Sequence, residues 1–336
     1  MKNSAAAMTG RRMLMIMLEN FGKHASRTSH PAIDHSITRR DACEREEFVG
    51  PAIRRGKSPC FESDSRVMRM VPDKFLAAMI GVLPLPGSPR YAGSSKAVIN
   101  SALTDLEQYL KAGADVIVLE NSHDIPYIKP PLDPQAIALM KRIAKESRKR
   151  FDGPIGIQML EAANESALEI ACEADLDFLR VEGYVFAHIG GAGLIEGCAG
   201  RLLRKRAELG CGHIKIFGDV KKKHCSHALT GDLDITDVVR QAEFFLVDGV
   251  IVTGPRTGES PELKELRRVK ELAEVPVVVG SGMTPQNISR YMPWADGFIV
   301  GSILREEGSF LGRLDPHRLQ VFVSAFQEAR DQEWHS

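Results

Sequence analysis

The chain has 336 residues, of which 44 are Lys or Arg and 44 are Asp or Glu, so its formal net charge is zero. This balance gives no reason to expect nucleic acid or a charged membrane surface as a partner. No apolar run in the sequence approaches the ~20 residues that cross a bilayer. A single (β/α)8 barrel needs roughly 250 residues, so the length accommodates one barrel and an additional segment.

Residues 1–73 differ in composition from the rest of the chain. Apart from the apolar run at 13–18, they show no sustained apolar periodicity and are rich in Arg, Ser and His. Such a segment buries too little apolar surface to offset its ordering entropy, which predicts a disordered extension. The excess of basic residues up to Arg40 makes a mitochondrial transit peptide an alternative interpretation. If residues 1–73 are only a disordered extension, we expect a cytoplasmic protein. If they are a transit peptide, the location is the mitochondrial matrix.

From residue 74 to 336, short apolar runs alternate with helical patterns, which is typical of a parallel α/β fold. The predicted strands are 78–83, 115–120, 155–160, 178–182, 214–219, 249–253, 277–281 and 297–301. The predicted helices are 97–112, 134–150, 164–174, 199–209, 236–245, 261–272, 285–291 and 316–330. Eight such units predict one α/β domain, a single (β/α)8 TIM barrel. An open doubly wound sheet is the alternative, but no GxGxxG motif follows the first strand.

Local signals support two of the helix ends. Gly113 follows the first helix, at a position where glycine terminates helices. Asp133 and Pro134 begin the second, as an N-cap residue followed by proline in the first turn. The six cysteines form no CxxC pair, which argues for a reducing compartment and against a disulfide framework or structural zinc.

The predicted phosphate site follows the last two strands. Active sites of these barrels lie at the carboxyl ends of the strands, and the loops after strands seven and eight frequently hold phosphate. Here these loops begin with Gly280, Ser281 and Gly282, and with Gly301 and Ser302. Glycine lets backbone N–H groups approach an anion. The alternative is that these glycines only permit tight turns.

Two further loops contain candidate ligands for the substrate. The sixth strand ends at Thr253 and Gly254, and Arg256 follows. We expect Gly254 to extend the phosphate site, and Thr253 and Arg256 to contact the substrate, because an arginine fork binds phosphate or carboxylate. After the first strand, Arg90 lies in a proline-rich loop and is a further candidate. A solvated surface role is the alternative for both arginines.

The fifth strand leads into a loop that combines a carboxylate, lysines and a histidine. Asp219 is followed by Lys221 and then by His224. Asp219 is suited to bind a divalent ion or act as a base, and a desolvated lysine acts as acid, base or imine-forming nucleophile. The alternative is that Lys221, Lys222 and Lys223 form a solvated charge run.

Charged residues also end the second and fourth strands. Arg180 and Glu182 alternate onto one side of their strand, and Glu120 ends the second strand. We expect Arg180 to pair with Glu182, Glu120 or Asp219, because buried charges need partners. These three carboxylates form a candidate ligand set for Mg²⁺ or Mn²⁺, with a structural ion-pair network as the alternative. His123 and Gln158, at the same predicted rim, are candidate substrate ligands.

Motifs along the whole predicted barrel resemble the BtpA family, phosphate-binding TIM barrels of the ribulose-phosphate-binding type that are named after a cyanobacterial photosystem I biogenesis protein. The matching segments are Leu85–Pro89, Leu119–Asn121, His123–Tyr127, Leu194–Gly197 with Leu202, Leu203 and Arg206, Asp219–His224, Thr253–Gly254 with Thr257–Gly258, and Gly280–Gly282. Glu182–Phe186 and Lys221–His224 look more like the eukaryotic branch. The resemblance implies the fold, and fold alone does not give a reaction.

The predicted function is that of an enzyme that binds a small phosphorylated metabolite, such as a sugar phosphate or a nucleotide-derived compound. Glu120, Glu182, Asp219, Lys221 and His224 are the candidate catalytic residues. Proton transfer, aldol-type or metal-assisted chemistry fits this set, by a lyase, isomerase or hydrolase. The alternative is a non-catalytic assembly or stability factor that acts through a protein partner. A homo-oligomer is compatible with either interpretation.

Overall fold

The computed structural model describes residues 73–334 and shows a closed parallel barrel. Its strands are β1 (Phe75–Gly81), β2 (Val116–Glu120), β3 (Ile155–Gln158), β4 (Phe178–Val181), β7 (Lys215–Val220), β8 (Gly249–Val252), β9 (Val277–Val279) and β10 (Gly297–Val300). The predicted extension at 1–73 and its transit-peptide alternative lie outside the described residues, apart from Asp73. Within the described part of the chain, no helix is long and apolar enough to cross a membrane.

Helices alternate with the barrel strands as the sequence predicts. They are α1 (Ser95–Ala112), α2 (Pro134–Arg148), α3 (Asn164–Ala174), α4 (Ala199–Glu208), α5 (Ile235–Phe244), α6 (Leu263–Leu272), α7 (Ile288–Tyr291) and α8 (Pro316–Trp334). The predicted caps are confirmed: Gly113 ends α1 with φ 91°, and the Asp133 side chain accepts a hydrogen bond from the Gln135 backbone N–H.

The barrel closes where β10 pairs with β1, with Phe75 opposite Gly297. This closure excludes the open doubly wound sheet. A two-stranded antiparallel hairpin, β5 (His188–Gly190) and β6 (Gly193–Ile195), interrupts the connection from β4 to α4. The sequence analysis did not predict this hairpin.

Phenylalanine rings fill the amino-terminal half of the barrel interior. Phe75, Phe178 and Phe217 each lie in register with a glycine of the neighbouring strand. A Cβ atom on any of these glycines would come within 2.2–2.3 Å of the facing ring. The absent side chains therefore make room for the rings, and this end of the barrel is a packed core rather than a pore.

A larger apolar core lies between the barrel and its helices, formed by residues such as Leu106, Ile143 and Phe322. On this outer side a disulfide joins Cys172 of α3 to Cys211, with Cα atoms 6.0 Å apart. The sequence analysis argued against a disulfide framework; this one bridge forms because the packing of neighbouring helices brings residues 39 positions apart within bonding range. Cys198 and Cys225 are free.

Candidate active site at the carboxyl-terminal mouth

A cavity of about 820 Å³ opens at the carboxyl ends of the barrel strands. Strand parity sets its lining, because residues two apart from Phe75, Phe178 and Phe217 also point inward. Of the predicted site residues, those that line it are Glu120, Gln158, Arg180, Glu182, His224, Arg256, Gly280, Ser281, Gly282, Gly301 and Ser302. Most of the predicted site is thus brought together in one cavity.

Arg180 and Asp219 form a buried ion pair in the wall of the cavity. Arg180 Nη2 lies 3.2 Å from Asp219 Oδ1, and Arg180 Nε lies 3.3 Å from both carboxylate oxygens. Both side chains are almost completely buried. Burial is the largest single influence and would lower the pKa of Arg180, but Asp219, Glu120 and Glu182 together outweigh it and raise the pKa. Asp219 is therefore a partner of Arg180 and is not among the residues that line the cavity.

Glu182 forms a second buried ion pair beside the first. Lys222 Nζ lies 2.5 Å from Glu182 Oε1, which also accepts a hydrogen bond of 3.0 Å from Gln158 Nε2. The other carboxylate oxygen accepts one from the Ala162 backbone N–H at 2.8 Å. Glu161 approaches Lys222 at 3.5 Å. The carboxylate of Glu182 is thus fixed from three sides.

The three consecutive lysines Lys221–Lys223 do not all lie where the sequence analysis expected them. Lys221 takes a left-handed backbone conformation, φ 49°, and does not line the cavity. Lys222 and Lys223 do line it. The turn at Lys221 redirects the chain after β7, so this predicted catalytic lysine lies outside the cavity lining, and the run is not a fully solvated surface. Burial, and next the charge of Arg180, lower the pKa of Lys223 to about 8.

His224 connects the loops that follow β7 and β8. Its Nε2 accepts a hydrogen bond from the Thr257 backbone N–H at 3.1 Å and lies 2.9 Å from the Thr257 hydroxyl. His224 also has a positive φ of 59°. Burial, and next the charge of Lys223, lower the pKa of His224, which favours the neutral ring that this bond requires.

The glycine loops after β9 and β10 line the opposite part of the mouth. In the described part of the chain, the backbone N–H groups of Ser281, Gly282, Ser302 and Ile303 make no hydrogen bond. Gly282 is at φ 78°, and a Cβ there would lie 2.1 Å from the Ser260 backbone nitrogen. The close packing of this loop against Ser260 explains why residue 282 is a glycine. The four backbone N–H groups remain available to bind an anion.

Four other candidates lie outside the lining. Arg90 is exposed, in a loop whose turns bond locally from Ser88 N–H to the Leu85 carbonyl. His123 is buried, with its Nε2 3.0 Å from the Phe310 carbonyl oxygen, so it holds the loop after β10. Thr253 packs its methyl group towards Gly280. Gly254 lies against the Glu259 backbone. These residues shape the loops around the cavity.

The predicted metal ligands do not gather. Asp219 is paired with Arg180, and Glu182 with Lys222, while the Glu120 carboxylate has no ion-pair partner among the described residues. Residues 73–334 contain no group of three Asp, Glu, His or Cys side chains placed to hold a metal ion. The observed geometry is that of the alternative interpretation, an ion-pair network.

Two charged cavity residues, Glu161 and Arg305, escaped the sequence analysis. Glu161 is buried and bonds the Ala192 backbone N–H at 2.9 Å, which ties the β5–β6 hairpin to Lys222. Arg305 pairs with buried Asp105 at 2.9 Å and with the Gly312 carbonyl at 3.1 Å. The only available signal was the position of each charged residue shortly after a barrel strand.

Comparison with known proteins places these residues in a family. The BtpA family profile matches residues 72–328. The chain belongs to the BtpA family. The BtpA-type barrel is 38% identical over 269 residues to an uncharacterized mitochondrial protein of Caenorhabditis elegans, covering 76% of this chain and 97% of the relative. It is 34% identical over 253 residues to the photosystem I biogenesis protein BtpA of Synechocystis, covering 74% and 87%. The predicted family is confirmed.

Solved structures similar to this BtpA-family chain share little sequence with it. The N-(5'-phosphoribosyl)anthranilate isomerase of Pyrococcus furiosus superposes with a TM-score of 0.48 at 13% identity, covering 76% of this chain and 99% of that one. A tryptophan synthase alpha subunit of Legionella pneumophila gives 0.46 at 17% identity, covering 80% and 96%.

Proposed function

We propose that the chain is an enzyme that binds a small phosphorylated metabolite in the mouth of the barrel and catalyses proton transfer or aldol-type chemistry on it. One observation carries this proposal: four free backbone donors and a wall of buried ion pairs face a single cavity of about 820 Å³. A cavity of this volume suits a small ligand. The two sides match a ligand that has an anionic end and a reactive end.

The phosphate would lie against Ser281, Gly282, Ser302 and Ile303. Backbone N–H groups grouped in this way bind anions without the entropy cost of ordering long side chains. Arg256, which is exposed and only 3.4 Å from Glu259, and the buried Arg305 add positive charge to the same cavity. The loops after the seventh and eighth barrel strands are a frequent phosphate site in this fold.

The reaction would occur on the wall formed by Glu120, Lys223 and the two ion pairs. Asp219 and Glu182 are held by Arg180 and Lys222, so we assign them positioning roles. The side chain of Glu120 makes no hydrogen bond or ion pair with the described residues, which leaves its carboxylate available as acid or base. A lyase, an isomerase or a hydrolase could use such a group, and no step through Mg²⁺ or Mn²⁺ is assigned.

Ligand binding tests this proposal. Melting temperatures would be measured for the wild type, Ser281→Asp and Thr104→Asp with a panel of sugar phosphates and nucleotides. A carboxylate at 281 should repel phosphate, whereas the same charge at 104 lies on the exposed face of α1. At a ligand concentration of 100 Kd, binding adds about 2.7 kcal/mol to the stability of the wild type. If Ser281→Asp is less stable than the wild type, calorimetric titration of each protein with the ligand at 20 °C measures binding directly, at a temperature where the variants remain folded.

We expect at least one phosphorylated compound to stabilise the wild type and Thr104→Asp but not Ser281→Asp. Equal stabilisation of all three proteins by every compound would contradict the proposed phosphate site.

A second candidate function, that of an assembly factor, is favoured by an apolar surface at the end of α5. Phe244 is 79% exposed and Leu246 is 69% exposed, beside the partly exposed Phe245. Adjacent exposed apolar side chains on a helical ring mark protein contacts. A Synechocystis relative is named as a photosystem I biogenesis protein. In a null strain, loss of complementation by Phe244→Ser with Leu246→Ser, but not by Glu120→Gln, would favour this candidate. Sedimentation velocity of the Phe244→Ser, Leu246→Ser double variant and of Glu120→Gln would measure their oligomeric states and show whether this surface instead joins copies of the chain.

The location of the protein is proposed to depend on the segment 1–73. The C. elegans relative is named as mitochondrial, which supports the matrix over the cytoplasm. A fluorescent fusion of the full chain should label mitochondria, and a fusion of 74–336 should not. Cytoplasmic signal from both would overturn the matrix assignment.

A further inference from the structure

We propose that Lys223 forms an imine with the carbonyl group of a phosphorylated aldehyde or ketone. This inference rests on the proposed function and names both the reacting residue and the substrate class. It depends on how the structure distributes three consecutive lysines around one cavity.

Only one lysine of the run combines access to the cavity with a free amino group. Lys221 does not line the cavity, and Lys222 is fixed by Glu182 at 2.5 Å and Glu161 at 3.5 Å. Lys223 lines the cavity and, among the residues described, has no carboxylate oxygen within 4.0 Å. An amine without a paired carboxylate is the one that can lose its proton and act as a nucleophile.

The backbone fixes Lys223 in place. The residues on either side of it are anchored, Lys222 by Glu182 and His224 by Thr257. Lys221 and His224 both have positive φ, 49° and 59°. Each such residue stores roughly 1–3 kcal/mol of strain, and such strain clusters at active sites. Two such residues within four positions fix the path of this loop, with Lys223 between them.

The surroundings of Lys223 favour its neutral form. It is half-buried, and Arg180 and Lys222 place two positive charges nearby, which supports a pKa of about 8. A neutral amine near physiological pH is a requirement for attack on a carbonyl group. Glu120 is close enough to interact electrostatically with Lys223, and it is the carboxylate in this wall that no cation holds.

The proposed step is balanced. The Nζ lone pair adds to the carbonyl carbon, and the C=O π pair moves to oxygen. Glu120 transfers the two protons of the nitrogen, one after the other, to the oxygen, and the nitrogen lone pair then forms the C=N bond as the C–O bond breaks and water leaves. The products are an imine and one water molecule. Its C=N group withdraws electrons, so the neighbouring carbon can lose a proton or a carbon substituent, as a lyase or isomerase requires.

Reductive trapping tests the inference on the full chain. The protein is incubated with dihydroxyacetone phosphate, glyceraldehyde 3-phosphate or ribose 5-phosphate and then with sodium borohydride. Mass spectrometry measures the adduct and locates it by peptide mapping. We expect one adduct per chain at Lys223 with at least one probe, formed at least tenfold faster than with the same sugar lacking phosphate. Lys223→Arg should abolish it, and Lys221→Arg should not.

Glycerol 3-phosphate, which has phosphate but no carbonyl, separates the two proposals. Protection by this compound together with an adduct at Lys223 supports both. Binding of a phosphorylated probe without any adduct at Lys223 overturns the imine and leaves the phosphate site intact. Adducts spread over surface lysines, unchanged in Lys223→Arg and unprotected by glycerol 3-phosphate, overturn the imine and argue against the phosphate site.

Discussion

Lys222 Nζ lies 2.5 Å from Glu182 Oε1, and Glu182 is almost completely buried. Burial alone would lower the pKa of Lys222, but the carboxylate outweighs this effect and raises it. Burial also raises the pKa of Glu182, and the charge of Lys222 opposes this rise, so each partner favours the ionised form of the other. The Coulomb attraction of the pair offsets the desolvation of both groups only while both partners are present.

Lys222→Met should strongly destabilise the fold, because it leaves the buried Glu182 without its cation. The expected loss is about 3–5 kcal/mol in the free energy of unfolding, measured by urea denaturation. Lys221→Met is the matched control, with an expected change within about 0.5 kcal/mol. Similar unfolding curves for the two variants would show that the pair does not hold the wall.

Gly282→Ala and Gly258→Ala compare two glycines of positive φ in the same mouth. At Gly258 a Cβ meets open space, so the left-handed backbone alone should cost about 1–2 kcal/mol. At Gly282 a Cβ would also lie 2.1 Å from the Ser260 nitrogen. We expect a loss of about 3–5 kcal/mol there, because the loop backbones must separate. Equal losses in the free energy of unfolding would mean that the loop containing Gly282 is not packed against the loop containing Ser260.

Lys223→Met should stabilise the protein at neutral pH. The pKa of Lys223 is about 8 in the folded chain against 10.5 as its ordinary value, so below pH 8 folding carries the cost of a disfavoured charge. Removal of that charge should add about 1–2 kcal/mol at pH 7 after allowance for partial solvent screening. The gain should shrink as pH rises from 8 to 10.5, and it should vanish only above pH 10.5, where the wild-type lysine is neutral in both the folded and the unfolded state. Urea denaturation at pH 7 and 10 measures it against Lys221→Met, and a gain independent of pH would contradict the assignment.

His188→Phe should make the protein less sensitive to acid. Burial, and next the charge of His227, lower the pKa of His188 to about 4, so the unfolded chain binds a proton first as pH falls below 6.5. Wild-type stability should therefore decline between pH 6.5 and 4, by about 2 kcal/mol at pH 4.5. Unfolding curves at pH 7 and 4.5 test this, with the exposed His317→Gln as control. An equal decline in His188→Phe and wild type would contradict it.

The barrel and its inward-facing charges could be predicted from the sequence, because both follow from local patterns. Apolar runs marked the eight strands, and alternation along β4 put Arg180 and Glu182 on the same side. The same logic narrowed the partner of Arg180 to three carboxylates, and the structure selects Asp219.

The loops could not be predicted, because their paths depend on contacts between distant residues. The left-handed turn at Lys221 decides which lysines enter the cavity, and no local pattern marks it. The role of Glu161 depends on the β5–β6 hairpin, whose turn contains Gly190, Gly191 and Gly193. Those glycines could have been used to predict the hairpin. No local pattern predicts that Glu161 pairs with Lys222.

The rings of Phe75, Phe178 and Phe217 close one end of the barrel. The described barrel is therefore open at one end only. Ligand, displaced water and reaction product all pass through the mouth at the carboxyl ends of the strands. A product that keeps its phosphate would occupy the same loops as the next substrate. For any reaction carried out in this cavity, such a product should therefore act as a competitive inhibitor of its own formation.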